Sequence, residues 1–499
     1  MIKKLIIFFV FVVCNNTISF AYYDFDKKLE SAYSSILKFD FTEANMILQQ
    51  EEIEKPGNDL RFLFLNYIDF ITAFISEEKT NFEILKKNSS GYLEKLKKNE
   101  SNEQSPFHLF VQSEILLQQA IIRIKFGENI LSASEIRKAY KLIHINESKF
   151  PEFILNKKIS GLLNVILGSV PARYNWIINY SGMEGNITKG VDELQFFYKE
   201  SLNKKFDCYR PEILFYLGYI NSVFSSPVDK VNLYNQMKPL IDKMPFIAYI
   251  YSNNMMKQGK NDEAINALNI ALKNNSVHNF VFLYYRRGLA RLRKMDLTAE
   301  KDFEYYLFHF NGRNNIKAAY QKLAWISLLK NDTIKYLAFL QSCKEKGNAF
   351  IDDDKIAMDE AERNKNVNIY LLKSRLYFDG GYYNEALSEI TNNSIENFST
   401  YSEQLEVTYR LGRIMQMKGQ KDKAIFYFEK TLENGLSSNL YFAANCALML
   451  GLIYEDNGQN EKAKMYLKKT IDIKHDQYKN SIDQKAQAGL ERIRYKLIK

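Results

Sequence analysis

The chain predicts an all-α fold, a right-handed solenoid of stacked helical hairpins, and three observations carry that expectation. Four segments of the second half share one pattern, with Ala264, Ala386, Ala424 and Ala463 at nearly the same place in it. The 499 residues include only 8 prolines and 21 glycines, which favours long helices over many short strands. Stretches such as FLFLNYIDFITAFI and LFVQSEILLQQAIIRIKF repeat apolar residues at three-to-four spacing. A two-helix unit cannot bury its apolar face alone, so such units stack on copies of themselves, without the size ceiling of a single core.

Residues 1–21 stand outside the fold. Lys3 and Lys4 precede the apolar run Leu5 to Val13, and Ser19-Phe20-Ala21 offers a small-x-small cleavage site. This reads as a secretory signal peptide cut after Ala21, so the protein is expected to be exported to the periplasm or cell envelope. The run is short for a membrane span, and no later stretch is long enough. Cys14 would permit lipid attachment, but Val13 stands before it where a small residue is expected. Removing residues 1–21 takes away two lysines and no acid, so the formal charge falls from +9 to +7. That mild charge, with no Arg-rich block or basic-aromatic strip, excludes nucleic acid as an expected partner and leaves room for peripheral membrane association.

Hydrophobic residues make up 46% and charged residues 25% of the chain, ordinary globular usage that excludes wholesale disorder. The 33 Tyr and 35 Phe are expected mostly as knobs between helices, with a minority left for a groove. Cys208, Cys343 and Cys446 are odd in number and far apart, so they do not read as a disulfide framework, and at least two of them read as buried thiols.

Residues 22–245 read as an irregular helical region. The segment from Glu30 carries Ala32 and Ala44 at two small sites, the stretch Lys87 to Gln104 reads as a loop, and Ser160 to Leu194 is punctuated by Pro171, Gly182, Gly185 and Gly190. Residues 246–499 read as the array. The first helix of each hairpin has a small residue (Ser252, Ser374, Gly412, Gly451) and a large one three later (Met255, Tyr377, Met415, Tyr454). A turn glycine follows (Gly259, Gly381, Gly419, Gly458), where a helix end needs a left-handed residue. The second helix pairs each Ala with Leu268, Ile390, Phe428 or Leu467. Between Ala264 and Ala386 there is room for two worn copies, one with Gly288 and Ala299, the other with Ala324 and Ala338. Asp352-Asp353-Asp354 marks a loop or a helix start, and Ser481 to Ile498 reads as a polar capping helix.

On these residues the region from about 246 to 475 resembles the tetratricopeptide repeat family. The block 160–194, with Val170-Pro171, Gly182-Met183, Gly185-Asn186 and Gly190 to Leu194, resembles the eukaryotic tetratricopeptide family associated with inclusion-body clearance. Members of that family act as adaptors without a known active site, which implies a scaffold role; the signal peptide sets this chain apart from their intracellular setting. The Lys, Asn and Ile-rich composition with such a signal resembles exported proteins of Bacteroidetes.

No constellation for catalysis stands out. The five histidines never form HExxH or an i, i+4 pair, and there is no GxGxxG, P-loop or GxSxG motif, so neither a metal nor a cofactor is expected. In the repeat register the residues flanking the small site line the concave face. These are Tyr249 and Asn253, Leu371 and Arg375, Tyr409 and Arg413, with arginines suited to gripping carboxylates. The leading expectation is a non-catalytic adaptor that holds a protein or peptide segment in this groove. Two alternatives are a glycan-binding outer-membrane lipoprotein of the starch-uptake type, anchored at Cys14, and a hydrolase with a convergent acidic pair in the first half.

Overall fold

The computed structural model describes residues 22–98, 104–170, 182–224, 228–274, 280–363, 367–475 and 477–498. The leader read into residues 1–21, with Cys14, lies outside the described residues, as do Pro171 and His278. Among those described, the structure is all α-helical apart from short 3-10 turns and one isolated bridge between Tyr22 and Asn58.

The helices pair as hairpins. In the first half, α1 (Lys27–Leu37) pairs with α2 (Phe41–Glu54), α3 (Arg61–Ser76) with α4 (Lys79–Lys98) and α5 (Pro106–Phe126) with α6 (Asn129–Lys149). They are followed by α7 (Asn156–Gly168) with α8 (Ile187–Glu200), and α9 (Arg210–Val223) with α10 (Lys230–Met237). The second half continues with α11 (Pro245–Lys257) and α12 (Asn261–Ala271), α13 (Phe282–Arg293) and α14 (Ala299–His309), then α15 (Ile316–Leu329) and α16 (Thr333–Glu345). A single helix α17 (Asp352–Glu362) precedes α18 (Ile369–Gly380) with α19 (Tyr383–Thr391), α20 (Tyr401–Met417) with α21 (Lys421–Gly435), and α22 (Tyr441–Asp456) with α23 (Asn460–Asp472). Helix α24 (Lys479–Ile498) covers the end. The two worn copies fall on hairpins α13–α14 and α15–α16, although in the second Ala338 is exposed and Tyr336 and Leu340 are buried instead; the aspartates at 352–354 open α17, where their charge complements the helix dipole.

One sequence expectation fails locally. The stretch Lys87 to Gln104 is helical as far as Lys98, as part of α4. Phe82, Leu85, Ser89, Leu93 and Leu96 recur at three-to-four spacing and are all buried, and the Ser89 hydroxyl donates to Asn66 Oδ1 at 2.5 Å. Tertiary packing of that stripe overrides the weak helix preference of Asn88, Ser89, Ser90 and Gly91.

The small residues of the repeat lie in the packing seams. Ala264, Ala386, Ala424 and Ala463 are fully buried. A Cβ on Gly412 would come within 2.6 Å of the Phe428 ring, and one on Gly451 within 2.7 Å of Leu467. Ser374 fills the same position by donating to the Ala386 carbonyl at 2.8 Å. Gly259, Gly381, Gly419 and Gly458 take φ of 72°, 85°, 74° and 73°, the left-handed conformation that ends each first helix.

The array also touches itself out of order, unlike a simple linear solenoid. The turn at Gly381 lies on the turn at Gly259, and Asn261 Nδ2 donates to the Tyr382 hydroxyl at 3.2 Å. Farther apart in sequence, the Glu77 carboxylate accepts from the backbone N–H groups of Arg313 (3.3 Å) and Asn314 (2.9 Å) and pairs with Lys125 at 2.8 Å. Arg313 in turn lies over the rings of Phe126 and Phe350. One apolar cluster extends from Phe25 to Ala290, so core packing crosses residue 245.

Candidate functional site: a cationic inner face

The arginines of α13 show how the inner face is made. Arg287 grips the Asp302 carboxylate of α14 with Nε and Nη2 at 2.6–3.1 Å, and Arg291 reaches the same group at 2.9 Å. Arg286 and Arg293 sit on another face of the helix and form no ion pair among the described residues. Arg286 Nη2 donates to Asn253 Oδ1 of α11 at 2.7 Å, while its buried Nε has no partner among the described residues.

The same situation recurs along the array. Arg375 of α18 stacks over Trp325 at 4.4 Å, with Nε and Nη2 buried and unpartnered among the described residues. Arg413 of α20 lies over Phe378 at 5.2 Å and donates from Nη1 to the Tyr409 hydroxyl at 3.1 Å; its Nε has no partner among the described residues. Lys322 of α15 sits 3.9 Å over Trp325 and donates to Gln321. With Lys257, which is exposed and donates to the Ser222 carbonyl at 2.6 Å, and the exposed Lys485 these make seven cations, none of them ion-paired among the described residues.

They lie close enough to feel one another's charge. Burial pushes the Lys322 ammonium down to about 8; Arg375 and Arg293 push the same way, against Asp353 and Glu360. Burial, then Arg286 and Lys485, lowers Lys257, although 228 residues separate it from Lys485. Lys485 is lowered by burial and by Arg413, and Arg286 by burial with Arg293 adding to it. Three acids share this space. Glu360 accepts from Gln321 Nε2 (2.9 Å) and Trp325 Nε1 (2.6 Å), whereas Asp353 and Asp379 are exposed.

The candidates named from sequence therefore divide. Asn253, Arg375 and Arg413 belong to this face. Tyr409 is buried beneath it, accepts from Arg413 and from Asn445 Nδ2 (2.8 Å), and acts by orienting the arginine. Tyr249 is half-buried against Phe280 and Phe282, and Leu371 is a buried core residue. Sequence reasoning missed Lys257, Arg286, Arg293, Lys322 and Lys485. A signal existed for the first four: counted from each small residue, positions −2, +1 and +5 share one helix face. Arg286 and Lys322 fall at −2, Asn253, Trp325, Arg375 and Arg413 at +1, and Lys257, Arg293 and Asp379 at +5.

An acidic pair does converge in the first half, but not as a hydrolytic site needs. Glu114 and Glu212 meet at Lys158, which is fully buried and pairs with both, with Glu212 at 3.0 Å. Tyr67 donates to Glu114, and Tyr33 (2.6 Å) and Tyr216 donate to Glu212. Burial raises the Glu114 pKa despite Lys158. Apart from Glu114 Oε2, which has no partner among the described residues, the groups satisfy one another inside the core, out of reach of a substrate. Glu30 and Asp207, which line a surface depression beside α1, are each held by a cation, Lys27 and Arg210. Among the described residues no group of His, Cys, Asp and Glu could hold a metal ion, and no helix is long and apolar enough to cross a membrane.

Stacked hairpins with a polar inner face define a helical-repeat protein of the kind that serves as an interaction scaffold. Residues 444–476, which take in most of α22 and all of α23, match the family model described as tetratricopeptide repeat. No curated protein matches it. Among solved structures it is similar to a monomeric mutant of IFIT1 with Gppp-AAAA, at 11% identity over 94% of this chain and 95% of that one, with a TM-score of 0.33. A second IFIT1 mutant, with m7Gppp-AAAA, has 11% identity, coverage of 89% and 95%, and a TM-score of 0.31. The TPR domain of P58(IPK) has 12% identity, coverage of 82% and 93%, and a TM-score of 0.23. At scores this low none of the three bears on ligand or superhelix shape.

Proposed function

We propose that this protein is a non-catalytic scaffold of the cell envelope, exported by residues 1–21, whose inner face holds an extended segment of a partner protein. One observation carries the reading: Arg375 and Arg413 present buried guanidinium nitrogens that no group among the described residues satisfies, at equivalent places on successive hairpins. Unpaired buried donors cost free energy, and a bound segment supplies the missing acceptors. Stacking on Trp325 and Phe378 fixes both side chains beforehand, which lowers the entropy lost on binding. Affinity capture from the native envelope tests this. Partners recovered by the wild-type protein should be lost from the double variant Arg375→Ala, Arg413→Ala, and unchanged recovery would overturn the groove reading. Mass measurement of the mature N-terminus tests export, with cleavage after Ala21 expected and a lipid on Cys14 pointing to the anchored alternative.

A further inference from the structure

We infer that the segment held by this face is acidic: a stretch of protein with several Asp or Glu carboxylates spread along it, gripped by Lys257, Arg286, Arg293, Lys322, Arg375, Arg413 and Lys485. The inference rests on the scaffold reading and adds the chemistry of the partner. Three enclosed arginines elsewhere pair with the chain's own acids: Arg123 with Glu128 and Glu135, Arg287 with Asp302, Arg410 with Glu406. On the inner face that habit stops. Seven cations from α11, α13, α15, α18, α20 and α24 share one space with Asp353, Asp379 and an already occupied Glu360. Like charges close together repel, most strongly at the half-buried Lys322, and the lowered titration of Lys322 and of the exposed Lys257 and Lys485 has that repulsion among its causes, after burial. An incoming carboxylate relieves the repulsion and satisfies the orphan guanidinium nitrogens together.

Two features favour a carboxylate-bearing polypeptide over single-stranded nucleic acid, the other polyanion of suitable length. Binding of single strands relies on aromatic faces open to stack bases. Here the Trp325 ring is covered by Arg375 and Lys322, and the Phe378 ring by Arg413. Asp353 and Asp379 also interrupt the positive surface and would repel a continuous run of phosphates. A segment that alternates carboxylates with neutral or basic residues fits such a mixed face.

The test uses the full-length protein and three fluorescent probes of equal length: a Glu/Ser peptide, its Gln/Ser counterpart and a thymidine oligonucleotide. The Glu/Ser peptide should bind, more weakly as salt rises, and the Gln/Ser peptide should not. Arg375→Gln with Arg413→Gln should weaken binding by about tenfold or more. The control Lys430→Gln with Lys468→Gln, on the exposed surface of α21 and α23, should leave it within about twofold. Circular dichroism confirms that each variant is folded; if the arginine pair fails that check, Lys322→Met replaces it with the same expectation. In the wild-type protein the Lys322 ammonium, followed by NMR of the methylated lysine, should titrate above about 8 once the Glu/Ser peptide is bound. Binding of the oligonucleotide alone, equal binding of both peptides, or insensitivity to the arginine pair overturns the inference. If envelope partners are still captured through Arg375 and Arg413 while the acidic probe is ignored, only the charge inference falls. If capture survives their loss, the scaffold reading falls with it.

Discussion

The contact between the turns at Gly259 and Gly381 makes the array close on itself, and Gly381→Ala tests it. Gly381 sits at φ 85°, where a Cβ alone costs about 1–2 kcal/mol. That Cβ would also lie 2.1 Å from the Gly259 carbonyl oxygen and 2.6 Å from its carbonyl carbon and Cα. The obstacle is backbone, so relief requires the α18–α19 hairpin to draw away from the α11–α12 turn. Overpacking of this kind adds about 1–3 kcal/mol, so the expected total is about 2–5 kcal/mol. Gly419→Ala is the internal control. It has the same handedness, φ 74°, with nothing within 4 Å of the added Cβ, and should cost about 1–2 kcal/mol. Urea denaturation followed by circular dichroism compares the two variants. Hydrogen exchange then locates the loss, because a repeat array can unfold in stages. Faster exchange at residues 255–264 as well as at 377–386 is expected for Gly381→Ala only. Equal destabilisation, or exchange confined to the mutated hairpin, would refute the closed arrangement.

In the seam between α20 and α21, Gly412→Ala should cost about 1–3 kcal/mol in the wild-type background and under about 0.5 kcal/mol beside Phe428→Ala, since the ring it strikes is then gone; a double-mutant cycle by denaturation reads the coupling. Lys158→Met should destabilise by about 3–5 kcal/mol, because Glu114 and Glu212 would remain buried without their counter-charge, and adding Glu114→Gln should recover part of the loss. Glu114 has a raised pKa in the folded protein, so its contribution to stability falls as pH rises from the ordinary value of 4.5 to the raised one; Glu114→Gln should flatten that slope in denaturation curves measured across acid pH. Lys322 titrates at about 8 and not 10.5, so the folded protein binds fewer protons than the unfolded chain between those values and this group's contribution to stability rises with pH there. Lys322→Met should remove that rise.

What the sequence made legible is what depends on neighbours a few residues apart. The alternation of small and large residues is written locally, because Gly412 must admit Phe428 and Gly451 must admit Leu467 within one hairpin. The repeat register also placed Asn253, Arg375 and Arg413 on the inner face, one step beyond each small residue. It lost Lys257, Arg286, Arg293 and Lys322 because they stand at −2 and +5, a helical turn away from the residue that adjoins each small site, and in three of them the worn hairpins also blur the register. Lys485 lies on the capping helix, which has no register to count. Contacts between distant parts left no local trace. Glu77 meets Asn314 across 237 residues, and Lys158 joins acids from α5 and α9. Helix α4 was hidden for a related reason: its Asn and Ser residues suggest a loop, and only the partner that buries Ser89 explains the helix.

These distant contacts bear on the inner face directly. A linear solenoid flexes like a spring, because each repeat is fixed only by its neighbours. Here Gly259 against Gly381 fixes the separation of α11 from α18, and Glu77 with Arg313 and Asn314 ties the entry to α15 to the turn after α3. The cations between these ties cannot separate to dilute their repulsion. Arg375 and Arg413 are held on aromatic rings and Arg286 on Asn253, so their charge is presented in one geometry. A spring would relax when empty and pay to tighten around a ligand; a tied array keeps its charges in place, so carboxylate attraction is spent on binding instead of ordering the protein. The tie and the charge should therefore couple. Gly381→Ala, although no part of the cationic set, should weaken binding of an acidic segment while leaving Arg375 and Arg413 intact.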